Sequence, residues 1–181
     1  MKNTYITVVG NMPVRFDLDE VKKLGPLIAS GTSNKSTTFD YATVNSEQNM
    51  QDMLNSSVFQ TTKIVAPEPL FKKYVFFDGV TCMPQFPGLT SFDIDPKKCS
   101  PQTLSLLLSV YLRQTIVFLL GYDIQNPTEL TRLKSVAIAN PNCKFMYICD
   151  PPRTYQLDDL NNGFCDTYVK FQELIDRAKG K

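Results

Sequence analysis

The sequence predicts an α/β fold, a three-layer α/β/α sandwich built on a mainly parallel, Rossmann-like sheet. Short apolar and β-branched runs alternate along the chain with segments of helical period, and residues 115–120 are apolar at every position but the first. Strands that helices bury on both faces show such continuous apolar runs. This alternation implies parallel strands joined by right-handed crossovers.

The first half of the chain contains four well-marked strands, which we place at 4–9, 27–30, 41–44 and 63–66. Asp17 is suited to cap a short helix ending at Leu24, and Ser46 is suited to cap a helix through 57. Residues 74–77, YVFF, indicate a further strand or an edge hairpin. We expect 78–99 to be irregular, and long loops of this kind are usually functional or form lids.

The second half opens with the clearest unit, a helix that leads into a buried strand ending at Gly121-Tyr122-Asp123. Ser100 is its predicted N-cap, and Pro101 occupies the first helical position. The predicted buried stripe comprises Leu104, Leu107, Leu108, Tyr111 and Leu112. Further predicted elements are a strand at 115–120, a helix at 127–139, a strand at 144–148 and a helix at 158–178 whose buried face carries Phe164, Tyr168, Phe171, Leu174 and Ile175.

Length and charge limit the functional classes. A chain of 181 residues suits one domain, 1–181. The net charge of +1 gives no global field for nucleic acid or an anionic membrane, so we expect no nucleic-acid partner, and a local basic patch stays open. No apolar run approaches the roughly 20 residues needed to span a bilayer, and the N-terminus does not have the pattern of a signal peptide. We therefore expect a cytoplasmic protein.

The chain contains no histidine and five cysteines. The absence of histidine removes the commonest general base, the Ser-His and Cys-His nucleophile systems and mixed Cys/His zinc sites. The cysteines are widely spaced and form no C-x-x-C pair, so we expect reduced, mostly buried thiols and no metal site. Any catalysis has to rest on Asp, Glu, Lys, Tyr or Cys.

Polar residues follow several predicted strands, and the carboxyl ends of parallel strands share one edge of a sheet. Gly10 and Asn11, the loop from Ser30 to Asn34, Asn45 and Ser46, and Asp123 are thereby gathered along one edge. The start of the helix at Ser100 can face the same edge, where exposed N–H groups suit an anion. Asn, Ser and Asp are also ordinary turn and cap residues, and this plainer interpretation stays open. Neither the standard dinucleotide loop nor the P-loop motif is present.

The segment Phe92–Asp95 contains two carboxylates, Asp93 and Asp95, that alternation would point to the same side of an extended chain. Such a pair can hold Mg²⁺ against phosphates, but a D-x-D pattern is common in solvated loops, and we do not expect the metal. Asp93, Asp95 and Asp123 are the candidate catalytic bases.

The order of these pieces resembles bacterial sialyltransferases of family 42 and the related domain of archaeal 6-hydroxymethylpterin pyrophosphokinase-like proteins. The matching segments are Val9-Gly10-Asn11-Met12-Pro13, Thr43–Ser46, Ser100–Asp123 and the late strand KFMYICDPP. The resemblance implies that the chain binds a nucleotide, as part of a CMP- or UDP-type nucleotide-sugar donor, through one set of residues. That set is Gly10, Asn11, Asn45, Ser100 and Gln102, with Asp123 at the strand end.

The chain departs from that family at several positions. Met12 and Val14 replace a glycine and a serine, and Pro101 replaces a glycine. The family's catalytic histidine lies in a lid after the Gly-x-Asp strand, whereas this chain has only the short connection Ile124–Asn126. We therefore keep two hypotheses: a glycosyltransferase-like protein that binds a nucleotide or nucleotide-sugar, and a non-catalytic binding or interaction protein on the same fold, such as a virus-encoded (phage) factor with a protein partner.

Overall fold

A computed structural model describes residues 4–32, 37–57, 59–83, 95–150, 157 and 159–180. The described strands form one eight-stranded, all-parallel sheet in the order β5-β4-β3-β2-β1-β6-β7-β8. The strands are β1 (Tyr5–Val9), β2 (Leu27–Ser30), β3 (Tyr41–Thr43), β4 (Lys63–Ala66), β5 (Val80–Cys82), β6 (Ile116–Leu120), β7 (Lys144–Ile148) and β8 (Gly163–Asp166). The predicted parallel α/β fold is confirmed.

Helices cover both faces of the sheet. They are α1 (Leu18–Val21), α2 (Glu47–Leu54), α3 (Glu68–Tyr74), α4 (Pro101–Tyr111), α5 (Pro127–Ala139) and α6 (Tyr168–Lys179). The apolar side chains of α4 and α5 pack on one face and those of α1, α2, α3 and α6 on the other. Within the described ranges, no helix is both long enough and apolar enough to cross a bilayer.

The strand order reverses between β1 and β6. From β1 the chain adds β2, β3, β4 and β5 in one direction, and α4 then carries it back to pair β6 with the free side of β1. Helix α4 packs over β1, β2 and β3 on this return path. Its burial is correspondingly extensive, since every residue from Gln102 to Ser109 is buried.

The sequence predicted the bounds of several helices and strands and two helix N-caps correctly. β2, β4 and β7 have the predicted bounds, and α5 runs from Pro127 to Ala139 as predicted. Ser46 and Ser100 are confirmed as N-caps, since each Oγ accepts a hydrogen bond from the backbone N–H three residues later. The predicted stripe on α4 is wrong at Tyr111, which is 51% exposed. Tyr111 is the last residue of the helix and lies beyond its buried part, Gln102–Ser109.

Two predictions near the ends of the sheet were wrong. Residues 74–77 do not form a strand: Tyr74 ends α3, and Phe76 is 93% exposed. Prolines 67 and 69 look like helix breakers, but they occupy the N-cap and first turn of α3, where a missing N–H costs little. The strand lies later, at Val80–Cys82, inside the stretch expected to be irregular.

The predicted helix at 158–178 was wrong in its first half. Residues 163–166 instead pair in parallel with β7 as an edge strand, and Phe164 is half-exposed there. Thr167 then caps α6 by accepting from the Lys170 N–H. The buried face of α6 carries Phe171 and Ile175, as predicted.

The backbone segments that follow the carboxyl ends of β1 and β6 lie too close together for any side chain at Gly10. A Cβ atom there would lie 2.3 Å from the Gly121 carbonyl oxygen, a contact that real Cβ atoms do not make. We therefore expect Gly10→Ala to lower the free energy of unfolding by about 2 kcal/mol or more, and to lower Tm by roughly 5 °C.

Gly180→Ala is the matched control, because its Cβ would meet only the Arg177 carbonyl oxygen at an ordinary 3.8 Å. Thermal unfolding followed by circular dichroism measures both variants. Equal Tm values for the two would contradict the close approach of β1 and β6.

Candidate functional site

The carboxyl edge of the sheet at β1 and β6 is where ligands bind in open α/β sheets with a reversal of strand order. Helices α2, α4 and α5 also begin at this edge, because each follows the carboxyl end of a strand or its loop. Gly10 and Asn11 follow β1, and Asp123 follows β6. The structure therefore brings the predicted residues of these two strands together.

Main-chain hydrogen bonds join the two strand ends beyond the sheet itself. The Gly10 N–H donates to the Leu120 oxygen at 2.8 Å, and the Met12 N–H donates to the Gly121 oxygen at 2.9 Å. Gly121 adopts φ +58°, and a Cβ there would lie 2.4 Å from the Met12 oxygen. Gly10 and Gly121 thus serve the close approach of two backbones, which is a structural role.

Gln102, in the first turn of α4, inserts its side chain between these strand ends. Its Oε1 accepts from the Asp123 N–H at 3.0 Å and from the Asn11 N–H at 3.4 Å. The residue is only 4% exposed. One oxygen therefore holds the loops after β1 and β6 against α4.

Ser100 belongs to a buried polar cluster that joins α4 to α5. The Ser100 and Thr103 hydroxyls both donate to Glu129 Oε2, at 2.8 and 2.9 Å. Arg132 lies 3.4 Å from the other carboxylate oxygen, and Glu129 is 4% exposed. A hydroxyl beside a carboxylate resembles an activated nucleophile, but Ser100 Oγ also accepts from the Thr103 N–H, as an N-cap does.

Tyr122 places its hydroxyl beside this cluster. The side chain is fully buried, and its Oη makes no hydrogen bond of acceptable geometry, although Thr103 and Glu129 lie close to it. Burial holds the pKa of this hydroxyl well above its ordinary value, and the negative charge of Glu129 raises it further. Tyr122 is therefore unsuited to act as a base at neutral pH.

Asn45 and Ser46 connect the start of α2 to the start of α4. Asn45 Nδ2 donates to the Cys99 oxygen at 3.0 Å, and its Oδ1 lies 3.5 Å from Asn49 Nδ2. The Ser46 hydroxyl caps α2. Asn45 remains exposed, so it can contact a ligand at this edge, whereas the Ser46 oxygen is committed to the helix.

Two of the three candidate bases have structural roles. Asp123 Oδ1 accepts from the N–H groups of Gln125 and Asn126, which shapes the turn into α5. Asp95 Oδ1 accepts from the Lys97 N–H and caps a short 3₁₀ turn. Asp93 lies outside the described residues, as does Asn34.

Neither the cysteines nor the carboxylates form a metal site in the described part of the chain, where no group of three metal-ligating side chains comes together. The five cysteines are free thiols. Burial raises the pKa of Cys99 and that of Cys143 to about 11. Both thiols are therefore protonated and poorly nucleophilic at neutral pH.

A shallow groove of about 420 Å³ lies elsewhere, between α6 and the segment after β1. Its lining includes Phe16, Tyr168 and Gln172, and the Arg15 guanidinium lies 5.5 Å from the centre of the Tyr168 ring. None of the predicted site residues lines it. The groove and the carboxyl edge are therefore alternative places for a ligand.

Comparison with protein-family models gives no match, and comparison with curated proteins gives no significant match. The geometry of the carboxyl edge therefore carries the functional argument alone. The likeness to family-42 sialyltransferases stays a prediction.

Sequence reasoning missed Glu129. The spacing Asn126-x-x-Glu129 is that of a capping box, which predicts an exposed residue in the first turn of α5. Asn126 does cap α5, but the packing of α5 against α4 turns Glu129 inward. No local sequence signal reports such a contact between helices.

We expect Glu129→Ala to lower the free energy of unfolding by about 3 kcal/mol, because it leaves the buried Thr103 hydroxyl and the half-buried Ser100 hydroxyl without their acceptor and Arg132 without its carboxylate. The control, Glu173→Ala, removes an exposed ion pair with Arg177 and should change stability by less than about 0.5 kcal/mol. Urea denaturation measures both. Similar losses in the two variants would show that the buried cluster does not stabilise the fold.

The raised thiol pKa values predict a pH dependence. The native state keeps the Cys99 and Cys143 protons to higher pH than the unfolded chain, whose thiols ionise near pH 8.5. Stability should therefore fall as the pH rises from about 8.5 towards about 11. The double variant Cys99→Ala/Cys143→Ala should show a shallower fall in urea denaturation, and an unchanged slope would contradict the assignment.

Proposed function

We propose that the protein binds a nucleotide or nucleotide-sugar at the carboxyl edge of β1 and β6. One observation carries the proposal: at the point where the strand order reverses, an amide side chain is left free to bind a ligand. Asn11 is exposed there, and its side chain makes no hydrogen bond to any described residue. Sites at a reversal of this kind commonly receive nucleotides.

Positive charge is available along the same edge. Lys97 and Lys98 are exposed immediately before α4. The Glu129 carboxylate already lies against the N-cap of α4, so these two lysines supply the positive charge for a further anion. These features support an anionic part in the ligand, such as a phosphate.

The chemistry favours binding without glycosyl transfer. The chain has no histidine, and the two described candidate bases, Asp95 and Asp123, accept hydrogen bonds that shape turns. The buried Ser100–Glu129 pair is part of the packing between α4 and α5. Transfer from a CMP- or UDP-sugar by a glycosyltransferase-like enzyme is the narrower hypothesis, and turnover of the nucleotide-sugar would establish it.

A second candidate function is protein interaction, which one surface feature favours. Val75, Phe76 and Phe77 are consecutive exposed apolar residues, and Phe76 is 93% exposed. They lie between α3 and the edge strand β5, away from the residues of the candidate site.

Millimolar CMP, UMP, CDP, UDP or GDP should raise Tm if the edge binds nucleotides, since a ligand at 100 times its Kd adds about 2.7 kcal/mol of stability. Asn11→Ala and Asn45→Ala should each weaken binding about tenfold or more, because each removes a hydrogen-bonding side chain at the edge. The control is Asn55→Ala, an exposed asparagine just after α2.

Thermal shift and titration calorimetry measure these effects. Absence of any shift with the five nucleotides would contradict the proposed function. Binding that is unchanged in both edge variants would place the nucleotide elsewhere, such as in the groove beside α6.

A further inference from the structure

Gln102 is held in one orientation by two backbone donors. The N–H groups of Asn11 and Asp123 both point at its Oε1. A side-chain amide turned over by 180° would place its own NH₂ group against these two donors, where no hydrogen bond can form. The orientation is therefore fixed by chemistry, and Nε2 points away from both N–H groups.

The Nε2 donor of Gln102 is unused, although the residue is only 4% exposed. It donates to no described residue. In the described part of the chain, Tyr122 Oη is the one fully buried side-chain polar atom that lacks a hydrogen bond. Because Gln102 Nε2 also lacks a hydrogen bond, it must be accessible to solvent. A mostly buried side chain thus presents one fixed donor at the carboxyl edge of β1 and β6.

Asn11 adds a second amide at the same place. Its backbone N–H shares the Gln102 Oε1, which places the two residues side by side. Its exposed side chain offers both a donor and an acceptor. Paired amides of this kind recognise the hydrogen-bonding edges of nucleobases.

The local charge favours a neutral group at this point. Asp123, whose N–H binds Gln102, makes no ion pair with a described residue. Arg132 is committed to Glu129 and to the Lys98 oxygen. A phosphate beside the Asp123 carboxylate would be repelled, whereas a carbonyl oxygen or ring nitrogen would not.

We propose that Gln102 Nε2 and the Asn11 side chain bind the neutral hydrogen-bonding edge of a nucleobase, with Gln102 Oε1 fixing that donor in place. This inference rests on the proposed function and assigns the base, not the phosphate, to the part of the carboxyl edge beside Gln102 and Asn11. The phosphate then lies farther along the edge.

Gln102→Glu separates the two roles of the side chain. The carboxylate still offers an oxygen to the Asn11 and Asp123 N–H groups, but the Nε2 donor becomes an acceptor. Affinity for a nucleoside should fall about tenfold or more, because an acceptor of the base would then face another acceptor. Gln125→Glu, on the neighbouring turn, adds the same charge and should leave affinity within about twofold.

Calorimetry with cytidine, uridine, adenosine and guanosine, and with ribose 5-phosphate as a competitor, provides the test. We expect at least one nucleoside to bind without a phosphate, ribose 5-phosphate not to displace it, and Gln102→Glu to lose that binding. Unchanged nucleotide affinity in Gln102→Glu would overturn this inference and leave the proposed function standing. The inference would also be overturned if no nucleoside binds and ribose 5-phosphate displaces a bound nucleotide. Absence of binding by nucleosides and nucleotides alike would overturn both.

A measurement on the unaltered protein covers the case in which Gln102→Glu does not fold. The side-chain Nε2H₂ signals of Gln102 can be followed by ¹⁵N–¹H correlation spectra during titration with the bound nucleoside. A downfield shift that saturates with occupancy is expected for a new hydrogen bond. Signals that stay in place while the nucleoside binds would overturn the inference.

Discussion

The Gln102 Oε1 atom is the constraint on which the carboxyl edge depends. It accepts from the N–H of Asn11, the second residue after β1, and from that of Asp123, the third residue after β6, and so ties both loops to the first turn of α4. A side chain on Gly10 would also collide with it at 2.6 Å. Because α4 has to cross the sheet between β5 and β6, this contact fixes the first turn of the crossover helix against the ends of β1 and β6. The reversal of strand order is therefore held by side-chain and main-chain contacts together.

The same constraint sorts the polar residues of the edge into two groups. Gly10, Ser46, Ser100 and Asp123 use their distinctive chemistry within the fold, as a close backbone contact, two helix caps and a turn. Asn11 and Asn45 remain exposed. Gln102 belongs to both groups, since one atom of its amide is committed and the other is unused. A ligand at this edge would thus meet a rigid framework, which lowers the entropic cost of binding.

The sequence predicted the central strands well because helices bury them on both faces, and such burial produces continuous apolar runs in β1, β4, β6 and β7. The caps Ser46 and Ser100 were also predictable, because capping is local. The edge strands β5 and β8 were not, since three or four residues paired on one side leave little periodicity. Gln102 was expected only as a ligand contact, and Glu129 was not singled out. Their structural roles were missed because both depend on contacts between residues more than 20 positions apart.

A crystal structure of the protein with a bound nucleotide would show where the base lies. We expect the base at the carboxyl edge of β1 and β6, with acceptor atoms at about 3 Å from Gln102 Nε2 and the Asn11 amide. A nucleotide seated instead in the groove lined by Arg15 and Tyr168, with no contact to Asn11 or Gln102, would contradict it.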